Sequence, residues 1–397
     1  MILRIGNENC QDCELVQYRQ HVVKNVINTE AEIAIVGMMP GGEENKTGDP
    51  FCSSQQNESA GKNLNTALTK IGINRNDVSI MNCALCTHPE NKLNKKNWFA
   101  CKKYFFESLK AMPNLKLVFV MGNDAYKCIA DVSKAVMKEV YCKVYKNEQY
   151  GNVLFIPNYH PASIINIRAM KDPDRIRKFY EGFKIGLDIF NSLKVTTKKH
   201  NYILVKTEEQ LWPVLAEFEK QTSYCPDLET TSVKPHKAKI LCISLSWEPY
   251  TAVSIPIWYV KDGVLQKYWS DETEYKIVQV MKKVCTDPNK QCCGQNKRYD
   301  SLVLRNQFGF GIENIVYDIM LGTFVLNCND FYNLESITTI WLPEEAGVKA
   351  SFWQGIPPEE LRNETWFLNI DLDTLLLYGC HDADVELRIT LKQTKAI

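Results

Sequence analysis

The sequence predicts an α/β protein of two domains: a parallel-sheet domain with helices on both faces at residues 1–194, and a second α/β domain at residues 202–397. Three observations support this prediction. The chain of 397 residues is longer than one hydrophobic core usually spans. Its first half alternates apolar runs with helical patterns, which indicates parallel strands covered on both faces. A polar stretch without apolar periodicity divides the halves and predicts a linker over residues 195–201.

Four apolar runs of the first half predict the strands of its sheet. Helical patterns separate them, and each run ends in a loop-forming stretch. Because ligands of parallel sheets bind outside the carboxyl ends of the strands, the residues at these ends are candidates for a site. Three ends carry unusual side chains, near Gly37, Asn82 and His160. The predicted strands lie within residues 32–40, 77–86, 116–123 and 152–161.

The second half begins with strand patterns and continues mostly as helices. Apolar runs in YILVKTEEQL, in the stretch from Cys225 to Trp247, and in YTAVSIPIWYV predict strands. Helical patterns follow to the end of the chain. The order of strands before helices predicts a sheet with helices packed against it.

Composition is typical of ordinary globular domains. Hydrophobic residues make up 45% and charged residues 24% of the chain. No apolar run reaches the roughly 20 residues that span a bilayer, and no secretory signal opens the sequence, so we expect a cytoplasmic protein. In such a compartment the 15 cysteines are expected to be buried fillers or metal ligands rather than a disulfide framework.

A net charge of zero conceals two halves of opposite sign. Residues 1–200 contain 28 Lys and Arg against 20 Asp and Glu, a net charge of +8. Residues 201–397 contain 19 against 27, a net charge of −8. The basic clusters suit a polyanion such as DNA, although solvated helix faces would also explain them. An acidic half that handles nucleic acid needs metal ions to offset its carboxylates.

Two carboxylates lie one residue apart in the stretch CPDLETTSV. Residues i and i+2 of a strand point to the same face, so Asp227 and Glu229 repel each other unless a cation lies between them. Asp300 begins a helical pattern, and Tyr378 and Asp382 share one face of a late helix at i and i+4. Together these groups predict a site for two divalent ions, and an oxygen-only shell favours Mg²⁺ or Mn²⁺.

The acids lie in three segments, DLETTSVKP, GQNKRYDSLVL and YGCHDADVELRI, which resemble the motifs of the proofreading 3′–5′ exonuclease domain of family A DNA polymerases. The resemblance covers nearly all of residues 202–397 and implies a ribonuclease H-like fold. It also implies that Tyr378 orients the attacking water. By the same resemblance the metal ligands are Asp227, Glu229, Asp300 and Asp382.

The exonuclease resemblance implies DNA as a partner, as single strands or frayed 3′ ends. The sequence ends at Ile397, just past the third motif. It leaves open whether the chain is the front part of a longer polymerase or a free-standing exonuclease. A polymerase domain or subunit is therefore a second expected partner.

Cysteines near the N-terminus have the spacing of metal ligands. Cys10-x2-Cys13 is followed later by Cys86-x14-Cys101. Four thiolates hold either zinc or an iron–sulfur cubane, and spacing alone does not choose between them. Cys83 is a competing ligand, because Cys83-x2-Cys86 also has the spacing. Alternation along the predicted strand puts Cys83 on the opposite face from Cys86, so we expect it in the core.

Further segments of the first half, VGMMPGGEENKTGDPF, NCALCTHPENK and NYHPASI, resemble the active-site motifs of family 4 uracil-DNA glycosylases. The resemblance covers about residues 1–190 and implies the parallel-sheet fold of that family. It implies a [4Fe–4S] cluster rather than zinc. The cluster ligands it implies are Cys10, Cys13, Cys86 and Cys101.

The same resemblance implies a pocket for a flipped base. Phe51 stacks on uracil, Asn82 reads its edge, and His160 donates to the uracil oxygen where negative charge builds as the glycosidic bond breaks. Glu44 is the remaining carboxylate that would polarise water. Gly37 and Ser163 belong to the substrate-binding loops.

The chain departs from the family pattern at Met38, where the family has an acidic residue. Asn45 also stands where an acid is common. The sequence therefore predicts uracil recognition more strongly than uracil excision. In the alternative hypothesis the first domain is a non-catalytic DNA-binding module that tethers the exonuclease or a polymerase. Met38 favours that alternative, whereas Asn82 and His160 favour the enzyme.

Overall fold

The computed structural model describes residues 1–53, 59–165, 173–192, 198–326, 332–353 and 365–397. The chain divides into two compact units, Met1–Val195 and Thr196–Ile397. Residues 195–197 of the predicted linker, residues 195–201, lie outside the described residues. Residues 198–200 have no regular secondary structure, and Asn201 begins a strand.

The first unit is built on a six-stranded sheet with the order β1-β2-β4-β3-β5-β6. Strands β3 to β6 pair in parallel, whereas β1 and β2 pair antiparallel at one edge. The central strands are buried along their whole length, which explains their near-continuous apolar sequences. The strands are β1 (Ile2–Ile5), β2 (Asn25–Asn28), β3 (Ile33–Gly37), β4 (Ser79–Asn82), β5 (Leu117–Met121) and β6 (Leu154–Asn158).

Helices connect the parallel strands and cover the sheet. Side-chain caps begin several of them: Ser59 accepts from Lys62 N, and Asn94 accepts from Asn97 N. The described helices of this unit are α1 (Gly42–Thr47), α2 (Ala60–Lys70), α3 (Lys95–Lys110), α4 (Asn123–Ala130), α5 (Met137–Val140) and α6 (Pro173–Ser192).

The second unit contains a mixed six-stranded sheet with the order β14-β13-β8-β9-β10-β7. The central strands β8, β9 and β10 form an antiparallel meander, and the outer strands pair in parallel. A separate hairpin joins β11 to β12. The strands are β7 (Asn201–Leu204), β8 (Ser223–Thr230), β9 (Ile240–Glu248), β10 (Thr251–Pro256), β11 (Trp258–Lys261), β12 (Val264–Lys267), β13 (Gln291–Gly294) and β14 (Ile315–Asp318).

The last helix of the second unit lies across the middle of the sheet, against β8, β9 and β10. Gly379 makes this close approach possible, because a Cβ there would lie 2.2 Å from Ser244 Oγ on β9. The helices are α7 (Glu208–Lys220), α8 (Asp271–Thr286), α9 (Lys297–Phe308), α10 (Ile319–Leu326), α11 (Leu334–Trp341), α12 (Val348–Phe352) and α13 (Leu372–Gln393).

The predicted fold class is confirmed, with differences in detail. The strand predicted within residues 77–86 ends at Asn82, so the alternation argument for Cys83 does not extend to Cys86. Cys83 is nevertheless buried and donates to Ala125 O at 3.9 Å. The sequence patterns missed the antiparallel strands β1 and β2 and the late strands β13 and β14. Each of these has only four residues, too few to show an alternating pattern.

None of the helices in the described part of the chain has the length and apolar character needed to cross a membrane.

Candidate functional sites

Three elements of the second unit bring the predicted acidic residues together. On β8, Leu228 points into the apolar core, so Asp227 and Glu229 project side by side from the other face. Helix α13 crosses this face and carries Asp382. Carboxylate oxygens of Asp227, Glu229 and Asp382 all lie within 4.8 Å of one another. The sequence prediction of an acidic pair facing a helix is therefore realised in a group that can bind a metal ion.

Burial and mutual repulsion shift the protonation of these carboxyl groups. Burial raises the pKa of Asp227 to about 7, and the carboxylates of Asp382 and Asp300 add to that shift. Burial also raises the pKa of Glu229, with Asp227 as the nearest negative neighbour. Asp382 is the exception: although burial opposes ionisation, the Lys349 ammonium and His381 lower its pKa. A divalent cation would favour the ionised form of all three.

Asp300 lies beside this group, but each of its carboxylate oxygens already faces a donor group of the protein. It is in the first turn of α9, and its Oδ1 accepts from Leu228 N at 3.2 Å. Its Oδ2 lies 3.6 Å from the ammonium of Lys297. Among the described residues, the group of close metal ligands contains Asp227, Glu229 and Asp382 but not Asp300.

Lys297 is a site residue that the sequence patterns did not single out. Its side chain has no exposed surface, and its Nζ lies 2.8 Å from Glu386 Oε2 and 3.7 Å from Asp227 Oδ1. Burial alone would lower the pKa of Lys297, but the carboxylates of Asp300, Glu386 and Asp227 raise it well above its usual value. The i, i+3 spacing of Lys297 and Asp300 was the available signal.

Tyr378 lies one turn before Asp382 on α13 and is almost fully buried. Its ring is 4.5 Å from the Trp353 ring and 5.8 Å from the Phe352 ring, measured between centroids. The Lys349 ammonium lies 4.7 Å from the same ring and 2.8 Å from Asp382 Oδ2. Residues around α12 therefore cover the tyrosine and supply a second lysine to the acidic group.

Two further acids near the site hold the fold instead. Asp318 Oδ1 accepts from Met320 N at 2.9 Å at the start of α10. Asp384 Oδ1 accepts from Tyr250 N at 2.6 Å, and its Oδ2 accepts from the Tyr202 hydroxyl at 3.0 Å. Each carboxylate is committed to a hydrogen bond within the fold.

The donor set fits one of the two divalent ions that the exonuclease resemblance implies. Asp227, Glu229 and Asp382 offer converging oxygens, which is the ligand type that Mg²⁺ and Mn²⁺ prefer. A second ion, bridging Asp227 and Asp300, does not fit in the same way, because Lys297 faces both carboxylates.

In the first unit, the four predicted cluster cysteines line one cavity. Cys10 and Cys13 come from the N-terminal segment, Cys86 follows β4, and Cys101 lies on α3. Cys83 is outside this lining. Arg19 donates to Cys86 Sγ at 3.7 Å, a contact that suits a sulfur carrying negative charge.

The sulfurs of these cysteines, all of them described, are not gathered as closely as the ligands of a single zinc ion. Four thiolates at about 2.3 Å from one zinc would lie about 3.8 Å apart. Among the described residues, which include all four cysteines, no three cysteine sulfurs lie within 4.8 Å of one another. Burial raises the pKa of Cys101 to about 12, so binding of a cluster must release a proton there.

Residues predicted to form the base pocket come together at the carboxyl end of β3. A Cβ at Gly37 would lie 2.4 Å from Asn82 Oδ1 and 2.8 Å from Phe51 Cζ, so only glycine lets both side chains close over the strand end. Asn82 Nδ2 is buried and makes no hydrogen bond that meets ordinary limits within the described residues. The Asn82 side chain also lowers the pKa of the neighbouring Glu44 carboxyl, and its amide N–H matches an acceptor such as a uracil carbonyl oxygen.

Glu44 holds the loop that carries Phe51. Its two carboxylate oxygens accept from Gly41 N and from Phe51 N, each at 2.6 Å. Phe51 adopts a φ of 46°, an unfavourable left-handed conformation that these bonds help to maintain. Burial raises the pKa of Glu44, against the effect of the two backbone donors. Its contacts make Glu44 a positioning residue, and its action on water stays a prediction.

His160 lies at the carboxyl end of β6 with a defined tautomer. Its Nδ1 accepts from Ala162 N at 3.1 Å, so in the neutral ring the proton is on Nε2, which is the donor that the uracil oxygen requires. Its ring centroid is 5.7 Å from that of Phe51. The Ser163 hydroxyl is buried with no hydrogen-bond partner among the described residues, so it too is available to a ligand.

Asn45 and Met38, the departures from the family pattern, have structural contacts. Asn45 Oδ1 accepts from Gln20 N at 2.8 Å, which ties α1 to the segment after the first cysteine pair. Met38 is half-buried and packs against the core of the first unit.

Comparison with known proteins finds a family match for each of the two units. Residues 25–184 match the uracil DNA glycosylase superfamily, and residues 202–397 match a 3′–5′ exonuclease family of DNA polymerase A type. The type-4 uracil-DNA glycosylase of Archaeoglobus fulgidus is 33% identical over 163 residues, which cover 40% of this chain and 78% of that protein.

DNA polymerase I of Borreliella burgdorferi is 24% identical over 204 residues, which cover 51% of this chain but only 20% of the polymerase. RNase D of Escherichia coli, among solved structures, has 16% identity and a TM-score of 0.31, covering 49% of this chain and 44% of that one; this similarity is too low to carry an argument. The chain therefore belongs to the uracil-DNA glycosylase superfamily, as a type-4 homologue through its first unit, and continues into a 3′–5′ exonuclease domain of DNA polymerase A type.

Proposed function

We propose that the protein removes nucleotides from DNA 3′ ends with its second unit and recognises uracil in DNA with its first. The observation that supports the exonuclease most strongly is the convergence of Asp227, Glu229 and Asp382 within 4.8 Å, inside the region that matches the exonuclease family. We further propose that the domains span residues 1–194 and 202–397 and that the substrate is a single-stranded or frayed end.

Hydrolysis requires a bound divalent ion, which activates water and stabilises charge on the scissile phosphate. The chain supplies the rest. Asp227, Glu229 and Asp382 hold the ion, and the hydroxyl of Tyr378, one turn from Asp382, orients the attacking water. The aromatic rings of Phe352 and Trp353 restrict how the tyrosine ring moves. Lys349 is placed to neutralise Asp382 before the ion binds.

In the first unit, the side chains at the strand ends suit a flipped uracil. Asn82 carries an amide donor at the strand end, and the hydrogen bond to His160 Nδ1 leaves the ring proton of the neutral imidazole on Nε2. The cysteine cavity would hold a [4Fe–4S] cluster that ties the N-terminal segment to α3 and the loop after β4. A second candidate function, DNA tethering without excision, is supported by Met38, which carries no charge, and by Glu44, whose oxygens bind the backbone.

Several roles in this proposal rest on the family resemblance. One is a polymerase domain or subunit as partner. Another is a phage context, since the order of the two domains resembles the front of certain phage family A polymerases. The resemblance also implies a second Mg²⁺ or Mn²⁺ ion, which does not fit beside Lys297.

Removing the acidic pair should abolish exonuclease activity. In Asp227→Ala with Glu229→Ala, the loss of several kcal/mol of metal-dependent stabilisation corresponds to a rate decrease on the order of 10³-fold or more. The measurement is the degradation rate of a 5′-labelled single strand in Mg²⁺. Asp271→Ala with Glu272→Ala removes the same charges from the exposed start of α8 and should keep the wild-type rate. If Asp227→Ala with Glu229→Ala degraded the strand at the wild-type rate, the active site would have to lie elsewhere in the protein.

Metal affinity should rise with pH. With a pKa of about 7, Asp227 is protonated below neutrality, and a proton must leave before an ion binds. Affinity should therefore increase at least about tenfold per pH unit below pH 7, where Asp227 must lose a proton, and more steeply wherever Glu229 must lose one as well. Calorimetric titration with Mg²⁺ in two buffers of different ionisation enthalpy measures both affinity and protons released. Affinity independent of pH, with no proton release, would contradict the account.

Anaerobically purified protein should contain iron and sulfide. Cys101→Ser should lose the iron and destabilise the first unit more than the second, because the cluster crosslinks separate segments of that unit. Cys83→Ala is the matched control, since Cys83 is buried outside the cavity and its loss should leave the iron in place. Stoichiometric zinc without iron would show that the cluster assignment is wrong.

Wild-type excision of uracil should be weak, and Met38→Glu should increase it. General-base assistance is worth on the order of 10²–10⁴-fold, and a thioether supplies none. The measurement is the single-turnover rate of abasic-site formation, in EDTA to silence the exonuclease. Met38→Gln, which has similar size but no charge, serves as the control. Fast excision by the wild type that Met38→Glu does not improve would show that Met38 is no handicap.

Failure of both proteins to excise uracil, together with equal binding to DNA with and without uracil, would favour the tethering function for the first unit.

A further inference from the structure

A fully buried lysine lies at the centre of the exonuclease site. Lys297 has no exposed side-chain surface, and its ammonium lies within 4.0 Å of three carboxylates, those of Asp227, Asp300 and Glu386. A buried ammonium needs such partners, because an unpaired charge in the interior is strongly disfavoured.

The backbone is shaped to admit this side chain. Gly294 ends β13 with a φ of 141°, a conformation that favours glycine. A Cβ at that position would lie 2.1 Å from Lys297 Cε and 2.5 Å from Glu386 Oε2. The lysine stem therefore passes directly over the Gly294 backbone, and Glu386 anchors its charged end at 2.8 Å.

The ammonium faces the oxygens that a second divalent ion would need. Asp227 Oδ1 is 3.7 Å and Asp300 Oδ2 is 3.6 Å from Lys297 Nζ. The other oxygen of Asp300 accepts from Leu228 N at 3.2 Å. An ion bridging Asp227 and Asp300 at Mg–O distances of about 2.0–2.1 Å would approach a buried like charge that has no route to solvent.

Lys349, the other lysine at the site, differs in each of these respects. Its side chain is 28% exposed, and its ammonium pairs with Asp382 Oδ2 alone among the carboxylates within salt-bridge distance in the described residues. It lies over the Tyr378 ring, beside Asp382. Lys349 can therefore turn toward solvent or a DNA phosphate when an ion binds, whereas Lys297 cannot leave.

We infer that Lys297 is a permanent cation in the place of the second metal ion, so that this exonuclease centre binds one divalent ion, held by Asp227, Glu229 and Asp382. The inference rests on the proposed exonuclease function and limits the number of divalent ions at its centre to one. An ammonium offsets the charge of Asp227 and Asp300 but cannot coordinate water or a leaving oxygen. The single ion must then coordinate both the attacking water and the leaving oxygen. The rate should therefore depend on metal concentration with a Hill coefficient of one.

Electron paramagnetic resonance of bound Mn²⁺ tests this inference without relying on activity. The full-length wild-type protein is titrated with Mn²⁺ in the presence of excess deoxythymidine monophosphate, a product of the proposed reaction. We expect one Mn²⁺ bound at the acidic group, with the six-line spectrum of an isolated ion. Asp227→Ala with Glu229→Ala defines the background from other sites. A spin-coupled spectrum in the wild type, as two ions about 3.5–4 Å apart would give, overturns the inference.

Variants identify which lysine excludes the second ion. Lys297→Met with Glu386→Gln removes both members of the closest buried pair, so Glu386 is not left as an unpaired charge. Asp227 and Asp300 keep their carboxylates and lose the ammonium that faces them. This variant should bind a second Mn²⁺ and give the coupled spectrum. The matched control, Lys349→Met, should still bind one. A second ion in Lys349→Met, or a single ion in a folded Lys297→Met/Glu386→Gln protein, would contradict the assignment to Lys297.

The outcomes also separate this inference from the proposed function. Degradation of single strands with two bound ions would refute the single-ion centre and leave the exonuclease intact. One bound ion without degradation of any DNA end would support the single-ion centre and refute the proposed substrate. No ion at the acidic group would refute both.

Discussion

The structure of the second unit depends on the attraction between its buried carboxylates and the cations that lie among them. Strand β8 presents Asp227 and Glu229 to the same face, and α13 places Asp382 and Glu386 against them. Carboxylates this close repel one another in a medium that screens poorly, so the arrangement is stable only with cations among them. Protons, lysines and a metal ion can each serve, and the structure uses them in different places. Burial raises the pKa of Asp227 and Glu229, which favours their protonated forms. Lys297 is a buried cation that stays in place, whereas Lys349 is a cation with a solvent-accessible side chain.

This constraint explains features of the surrounding fold. Helix α13 must lie close to the sheet for Asp382 to reach β8, and Gly379 allows it. Gly294 makes room for the lysine that Asp300 and Glu386 require. The charge network continues along α13, where Arg388 pairs with Glu344 and Glu345 at 2.7 and 2.5 Å. The first unit also relies on a glycine, because Gly37 lets the side chains of Asn82 and Phe51 converge on a strand end.

The sequence predicted what depends on local pattern. Alternation on β8 placed Asp227 and Glu229 on one face, and helical spacing joined Tyr378 to Asp382. Apolar runs located the four parallel strands of the first unit. Family resemblance predicted the roles of Asn82 and His160. It also favoured an iron–sulfur cluster over zinc at the cysteines, a choice that their spacing alone did not make.

Features set by tertiary contacts could not be predicted in this way. Lys297 looks like an ordinary lysine at the start of a helix. Its burial follows from α13, which is distant in sequence, and from the conformation of Gly294 at the end of β13. Lys349 reaches Asp382 from a five-residue helix that has no strong pattern. The engagement of Glu44 with Gly41 and Phe51 depends on a loop conformation that composition does not encode. Four-residue strands such as β13 are defined by their neighbours more than by their own residues.

The most direct test of the central claim is anomalous diffraction from crystals of the protein grown with Mn²⁺ and deoxythymidine monophosphate. Data collected at the manganese edge locate each ion independently of the protein chemistry. The account predicts one anomalous peak at the exonuclease centre, among Asp227, Glu229 and Asp382, with the Lys297 ammonium between Asp227 and Asp300. A second peak bridging Asp227 and Asp300, with Lys297 displaced, would contradict it.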